Sequence, residues 1–60
     1  ATISALAAAL KDENVEVRRA AVEALGQMED DSVTPHLIVA MKDPDAQVRK
    51  SAAEALGDHK

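Results

Sequence analysis

The chain carries one stretch twice. Val17-Arg18-Arg19-Ala20-Ala21-Val22-Glu23-Ala24-Leu25-Gly26 returns 31 residues later as Val48-Arg49-Lys50-Ser51-Ala52-Ala53-Glu54-Ala55-Leu56-Gly57. The correspondence extends upstream, where Leu6 through Asp12 becomes Leu37 through Asp43, so that 11 of the 21 positions aligned between Leu6 and Gly26 are identical in the second copy. Self-similarity at a fixed period of roughly 20–50 residues marks a stacked-repeat protein. Each unit in such a protein leaves an apolar face that only a neighbouring unit can cover. This feature constrains the architecture strongly and says little about what the chain binds.

Apolar spacing fills in the units. Residues 2–11 read as a helix, with Ile3, Leu6, Ala7 and Leu10 on one stripe. Asp12-Glu13-Asn14 breaks it, and Asn14 is placed to cap a second helix from about Val15 to Gln27. The stripe of that helix is read as Val17, Ala21, Ala24 and Leu25, and Glu16 favours its N-terminal dipole. Glu29-Asp30-Asp31-Ser32 links the copies. A third helix is expected from about Ser32 to Lys42, where Pro35 is tolerable because it lies in the first turn. Asp43-Pro44-Asp45 is the second break, with Asp45 in the capping place of Asn14, and a fourth helix runs from about Ala46 to Gly57. Asp58-His59-Lys60 is expected to fray. Short loops make the four helices antiparallel neighbours.

Composition sets further bounds. Sixty residues make one small domain, here without a cysteine or an aromatic ring to staple it. The lack of cysteine fits a reducing compartment such as the cytoplasm, and is equally expected of a short segment. A net charge of −4 argues against nucleic acid and anionic membrane as partners. No apolar run approaches the ~18 residues of a membrane span. The chain starts at Ala1, so it is expected to be a segment of a longer array.

Two motifs carry a resemblance. L-x-x-A-[LM]-K-D occupies Leu6–Asp12 and Leu37–Asp43, and V-R-x-x-A-x-E-A-L-G occupies Val17–Gly26 and Val48–Gly57. With Pro35 two residues before Leu37, these resemble the HEAT-repeat family, in particular the short HEAT-like repeats of phycobilin lyases. The resemblance implies an all-α, armadillo-type fold: a short right-handed solenoid of two helix pairs, repeat 1 over about 2–28 and repeat 2 over about 32–59. It further implies that the first helix of each pair lies on the convex side and the second on the concave side. A ladder of turn Asp and helix Arg between repeats is implied at Asp12, Arg18, Asp43 and Arg49. The residues agree with that, since Arg18 and Arg49 flank the apolar stripe, where their stems can lie on apolar surface.

Candidate chemistry is sparse. In deoxyhypusine hydroxylase, which has similar repeats, His-Glu pairs hold iron; the matching positions here are Arg19-Ala20 and Lys50-Ser51, which excludes that chemistry for these repeats. His36 and His59 each lack a His or Cys partner at ligand spacing, and His36 is expected on an exposed helix side. Glu29-Asp30-Asp31 lacks the alternation, Gly and distal Glu of a calcium loop and is read as helix capping. Gly26 and Gly57 are expected to end helices or to permit close approach. Arg19/Glu23 and Lys50/Glu54 are i,i+4 pairs on a mixed-charge face.

The leading expectation is a non-catalytic protein-binding or scaffold module with no cofactor. Its concave face would comprise Glu16, Arg19, Glu23, Gln27, Gln47, Lys50 and Glu54. The alternative is a repeat segment of, or attached to, an enzyme of the phycobilin lyase type. The outward positions of the first and third helices carry no charge: Ala1, Ala5, Ala8, then Ser32, His36 and Val39 beside Ile38. Self-association is therefore expected through that Val39 side or through uncapped stack ends. Ile3, Leu6 and Leu10 are expected to begin one end, and Val48 and Leu56 to finish the other.

Overall fold

Three of the four helices begin where a side chain can satisfy free backbone N–H groups; the third follows directly on a 3₁₀ turn and has no side-chain cap. The computed structural model describes residues 2–28 and 30–57; the expectations for Ala1, Glu29 and the Asp58-His59-Lys60 tail lie outside them. Helix α1 spans Ile3–Ala9, opened by Thr2, whose hydroxyl oxygen accepts from the Ala5 N–H at 3.1 Å. Helix α2 spans Val15–Gln27. A 3₁₀ turn at Asp31–Val33 leads into helix α3, Thr34–Ala40, and helix α4 spans Ala46–Gly57. The first and third helices are thus shorter than the sequence suggested, with residues 10–11 and 41–42 in the turns that follow them. The expected first residues of the third form the 3₁₀ turn, and Pro35 stands in the first α-helical turn.

The two intra-repeat breaks share one construction. Asp12 Oδ1 accepts from the Asn14 N–H and Asn14 Oδ1 from the Glu16 N–H, both at 2.8 Å. One repeat later, Asp43 Oδ1 accepts from the Asp45 N–H and Asp45 Oδ1 from the Gln47 N–H, again at 2.8 Å. Two staggered side-chain turns therefore satisfy the N-terminal donors of α2 and α4 without any residue at positive φ. Asp30 does the same for the 3₁₀ turn through the Ser32 N–H. That bond, joined by a second to the Ser32 side chain, holds the Asp30 carboxyl below its ordinary pKa.

Helices α2 and α4 share the most extensive contact and form one layer; α1 packs on α2, and α3 on α4, as the other layer. The core lies between the repeats. Val22 and Leu25 of α2 meet Val33, Leu37, Ala40, Val48, Ala52 and Ala55 of the second repeat, all buried. Ile3, Leu6, Leu10, Val15, Met28 and Leu56 pack against this cluster while partly exposed. Burying a Leu or Val side chain is worth roughly 1.5–3 kcal/mol, so the inter-repeat contact, not either helix pair alone, carries the stability.

Three residues depart from their expected places. Val17, read as core, is 39% exposed, whereas Val22, absent from the expected stripe, is fully buried. Only one flank of α2 faces the second repeat, and Val17 stands on the other. Val48 does not finish an open end: it is fully buried, because the first repeat covers the flank of α4 that Val17 leaves bare on α2.

Gly26 lies inside α2 and permits a close helix crossing. A Cβ built there would stand 2.8 Å from the Ala55 Cβ of α4, whereas one on Gly57 meets no described atom within 4 Å. Gly26→Ala is expected to lower the thermal midpoint, because overpacking costs about 1–3 kcal/mol and the gain in helix propensity returns about 1 kcal/mol at most. Gly57→Ala, the same change in the other copy, is expected to leave the midpoint unchanged or raised. Thermal melts followed by far-UV circular dichroism compare the two, and equal losses would refute the role given to the crossing.

Candidate functional site

The ladder residues are held by the turns just described. Arg18 reaches across from α2, and its Nε donates to Asp43 Oδ2 at 2.8 Å, with the side chains only 14% and 7% exposed. Its Nη1 donates to the backbone oxygens of Asp12 at 2.7 Å and Glu13 at 3.1 Å. The rung therefore joins the Arg of one repeat to the Asp of the next, and ties both to the turn of the first. Arg49 repeats half of this arrangement, its Nη1 donating to the Asp43 carbonyl at 2.6 Å. Among the described residues Asp12 pairs with no cation and Arg49 with no carboxylate.

The seven residues expected on the concave face do not all line one hollow. Glu23, Gln27 and Glu54 line a shallow notch between α2 and α4, together with Gly26, Ser51 and Ala55. Glu16 borders a different and mostly apolar groove with Leu6, Ala9, Val17 and Ala24. Gln47 and Lys50 are exposed on α4 and line neither hollow. Arg19 is partly covered, and its Nη2 meets Glu16 Oε1 at 3.3 Å, so its partner is the i,i+3 carboxylate and not the expected Glu23. Among the described residues Lys50 and Glu54 form no ion pair. Both pairs were expected from i,i+4 spacing alone. That spacing only brings side chains within reach, and long exposed side chains gain only a few tenths of a kcal/mol by meeting.

Sequence reasoning missed Ser51, because its counterpart in the first copy is Ala20 and the repeat pattern carries no signal there. It also missed the apolar groove. The available signal was that Val17 and Val48 are identical while only one of them has a neighbouring repeat to cover it.

His36 is partly buried on α3 rather than fully exposed. Beside it Ile38 and Val39 are exposed, as is Met41 just beyond the helix. No group of three or more His, Cys, Asp or Glu among the described residues is placed to hold a metal ion. No described helix is long and apolar enough to cross a membrane.

No curated protein sequence matches the chain. The family model for HEAT repeats matches residues 2–60. That match spans both helix pairs, the turns that cap them and the rung between them; the chain belongs to the HEAT-repeat family.

Proposed function

We propose that the chain is a non-catalytic protein-binding module that seats a basic side chain of its partner between Glu23 and Glu54. The observation that carries this reading is the notch between α2 and α4. Glu23 and Glu54, which are repeat equivalents, both line it, as do Gln27 and Ser51. The nearby cation Arg19 is turned to Glu16, leaving the notch acidic. Charge-assisted hydrogen bonds from a Lys or Arg to such carboxylates are the stronger kind and orient the partner. The net charge of −4 acts in the same direction by drawing basic segments to the surface.

Selection of displayed peptides on the folded chain tests this. Enriched sequences are expected to contain Lys or Arg. Glu23→Gln with Glu54→Gln should weaken the selected peptides about tenfold, equivalent to 1.4 kcal/mol. Arg19→Glu with Lys50→Glu should change stability by no more than about 0.5 kcal/mol and should leave binding of a basic peptide equal or tighter. Enrichment of acidic peptides, or binding weakened by the second pair of changes, would overturn the assignment.

A further inference from the structure

We propose that the notch between α2 and α4 selects arginine over lysine. The proposal rests on the reading that a basic side chain of the partner sits there, and it names which one.

The shape of the notch follows from the helix crossing. Helices α2 and α4 run the same way, because the chain reverses twice between them through short links. They come close at Gly26 and Ala55, where a Cβ on the glycine would stand 2.8 Å from the Ala55 Cβ and 3.7 Å from its Cα. Both residues line the notch, whose volume is about 250 Å³. Its floor therefore carries nothing larger than a methyl group, and the two helices form its walls.

The polar groups are spread along both walls. Helical rise places each of them relative to the crossing. On α2, Glu23 stands about 4.5 Å before Gly26, and Gln27 about 1.5 Å after it. On α4, Ser51 stands about 6 Å before Ala55, and Glu54 about 1.5 Å before it. Along the notch the order is Ser51, Glu23, Glu54, Gln27, and it alternates between the walls. Two carboxylates, a hydroxyl and an amide oxygen are thus drawn out over about 7.5 Å of slot. Among the described residues none of these four side chains has an ion-pair or hydrogen-bond partner.

Donor geometry decides between the two cations. A lysine ammonium has three N–H groups that radiate from one atom, so it suits acceptors gathered around a point. A guanidinium has five, fixed in one plane and carried on three nitrogens. That arrangement matches acceptors drawn out on two facing walls. The guanidinium is also the less strongly hydrated ion, so contact with the apolar floor at Gly26 and Ala55 costs it less. Glu23 and Glu54 supply an attraction that either cation feels. Gln27 and Ser51 supply the extra acceptors that only the guanidinium can use, and so they set the preference.

Two-dimensional NMR of the isotope-labelled chain tests this, with three blocked single residues as probes: the Nα-acetyl methylamides of arginine, lysine and citrulline. Citrulline keeps the shape of arginine without its charge. The arginine probe is expected to shift the backbone amide signals of Gly26 and Ser51 and the side-chain amide of Gln27, with saturation. The lysine probe should shift the same signals with a Kd at least about fivefold higher, the worth of one net hydrogen bond. The citrulline probe should shift none of them. Gln27→Ala with Ser51→Ala leaves both carboxylates in place and introduces only a good helix former. It should bring the two Kd values together, chiefly by weakening arginine. Equal Kd values on the unaltered chain, or a preference that survives the double change, would overturn the choice of arginine while leaving a basic occupant in the notch. No shift at the notch with either cation, or an equal response to citrulline, would remove the basic occupant itself and this choice with it.

Discussion

Leu37→Ala is expected to cost about 2–5 kcal/mol, while the same change one repeat earlier, Leu6→Ala, costs distinctly less. Both leucines stand at the same position of their motif and on the first helix of their repeat. Leu37 is fully buried in the inter-repeat core, between Val33, Ala40 and the α2 and α4 residues that close over it. Leu6 only packs against that core and has one flank in the open groove. Truncating Leu37 removes the transfer energy of the lost atoms and leaves a cavity. At Leu6 part of the surface was never taken from water, and no closed cavity remains. A chain of this size has a total stability of about 3–9 kcal/mol, so the Leu37 change removes a large share of it. Urea titration followed by far-UV circular dichroism measures both, since there is no tryptophan or tyrosine to report by fluorescence. Equal losses would mean that the core does not lie between the repeats.

Asp43→Asn is expected to destabilise by about 1–3 kcal/mol, and Asp12→Asn by no more than about 0.5 kcal/mol. Both carboxylate oxygens of Asp43 accept hydrogen bonds: Oδ1 from the Asp45 N–H and Oδ2 from Arg18 Nε, each at 2.8 Å. An asparagine offers one acceptor and one donor group. Whichever way its amide is turned, a donor faces a donor, either at the cap or at the rung. The site is largely covered, with Asp43 at 7% and Arg18 at 14% side-chain exposure, so water compensates only partly. Asp12 uses one oxygen for the Asn14 N–H and pairs with no described cation, so its amide analogue keeps the bond that matters. The two variants differ by one turn-to-helix rung, and thermal midpoints read that difference directly. Similar losses at both positions would show that the turns, and not the rung, set the cost.

Much of this fold was legible in the sequence because the repeat supplies two readings of every position. The bounds expected for α2 and α4 match the helices found, since Asn14 and Asp45 provide cap chemistry and the apolar spacing is regular. The third helix was read too long at its start because Asp31–Val33 takes a tighter 3₁₀ turn, and at its end, like the first, because the last N–H groups bond three residues back instead of four. The error at Val17 has another cause. Apolar spacing records every surface a helix is suited to bury, on either flank, and α2 is suited to two. Only one of them has a neighbour here, so Val22 is covered and Val17 is not. The concave face was the least legible part. Exposed polar residues carry no spacing rule that says which of them converge, and the structure divides Glu16 from Glu23 and Glu54 between two hollows.

The three-point hold of Arg18 has a mechanical consequence. Its guanidinium is planar and rigid, and it touches two carbonyls of its own repeat and one carboxylate of the following repeat. A planar fork seated on both sides of a joint resists twisting about that joint, which a single ammonium point charge cannot do. The rung thus works as an angle gauge, setting how far one helix pair is rotated against the next. In a longer array built from this unit, the same small rotation would be copied at every step. The pitch of the resulting spiral would then be written in one side chain per repeat, and Arg18→Lys, though it keeps the charge, would let that pitch wander.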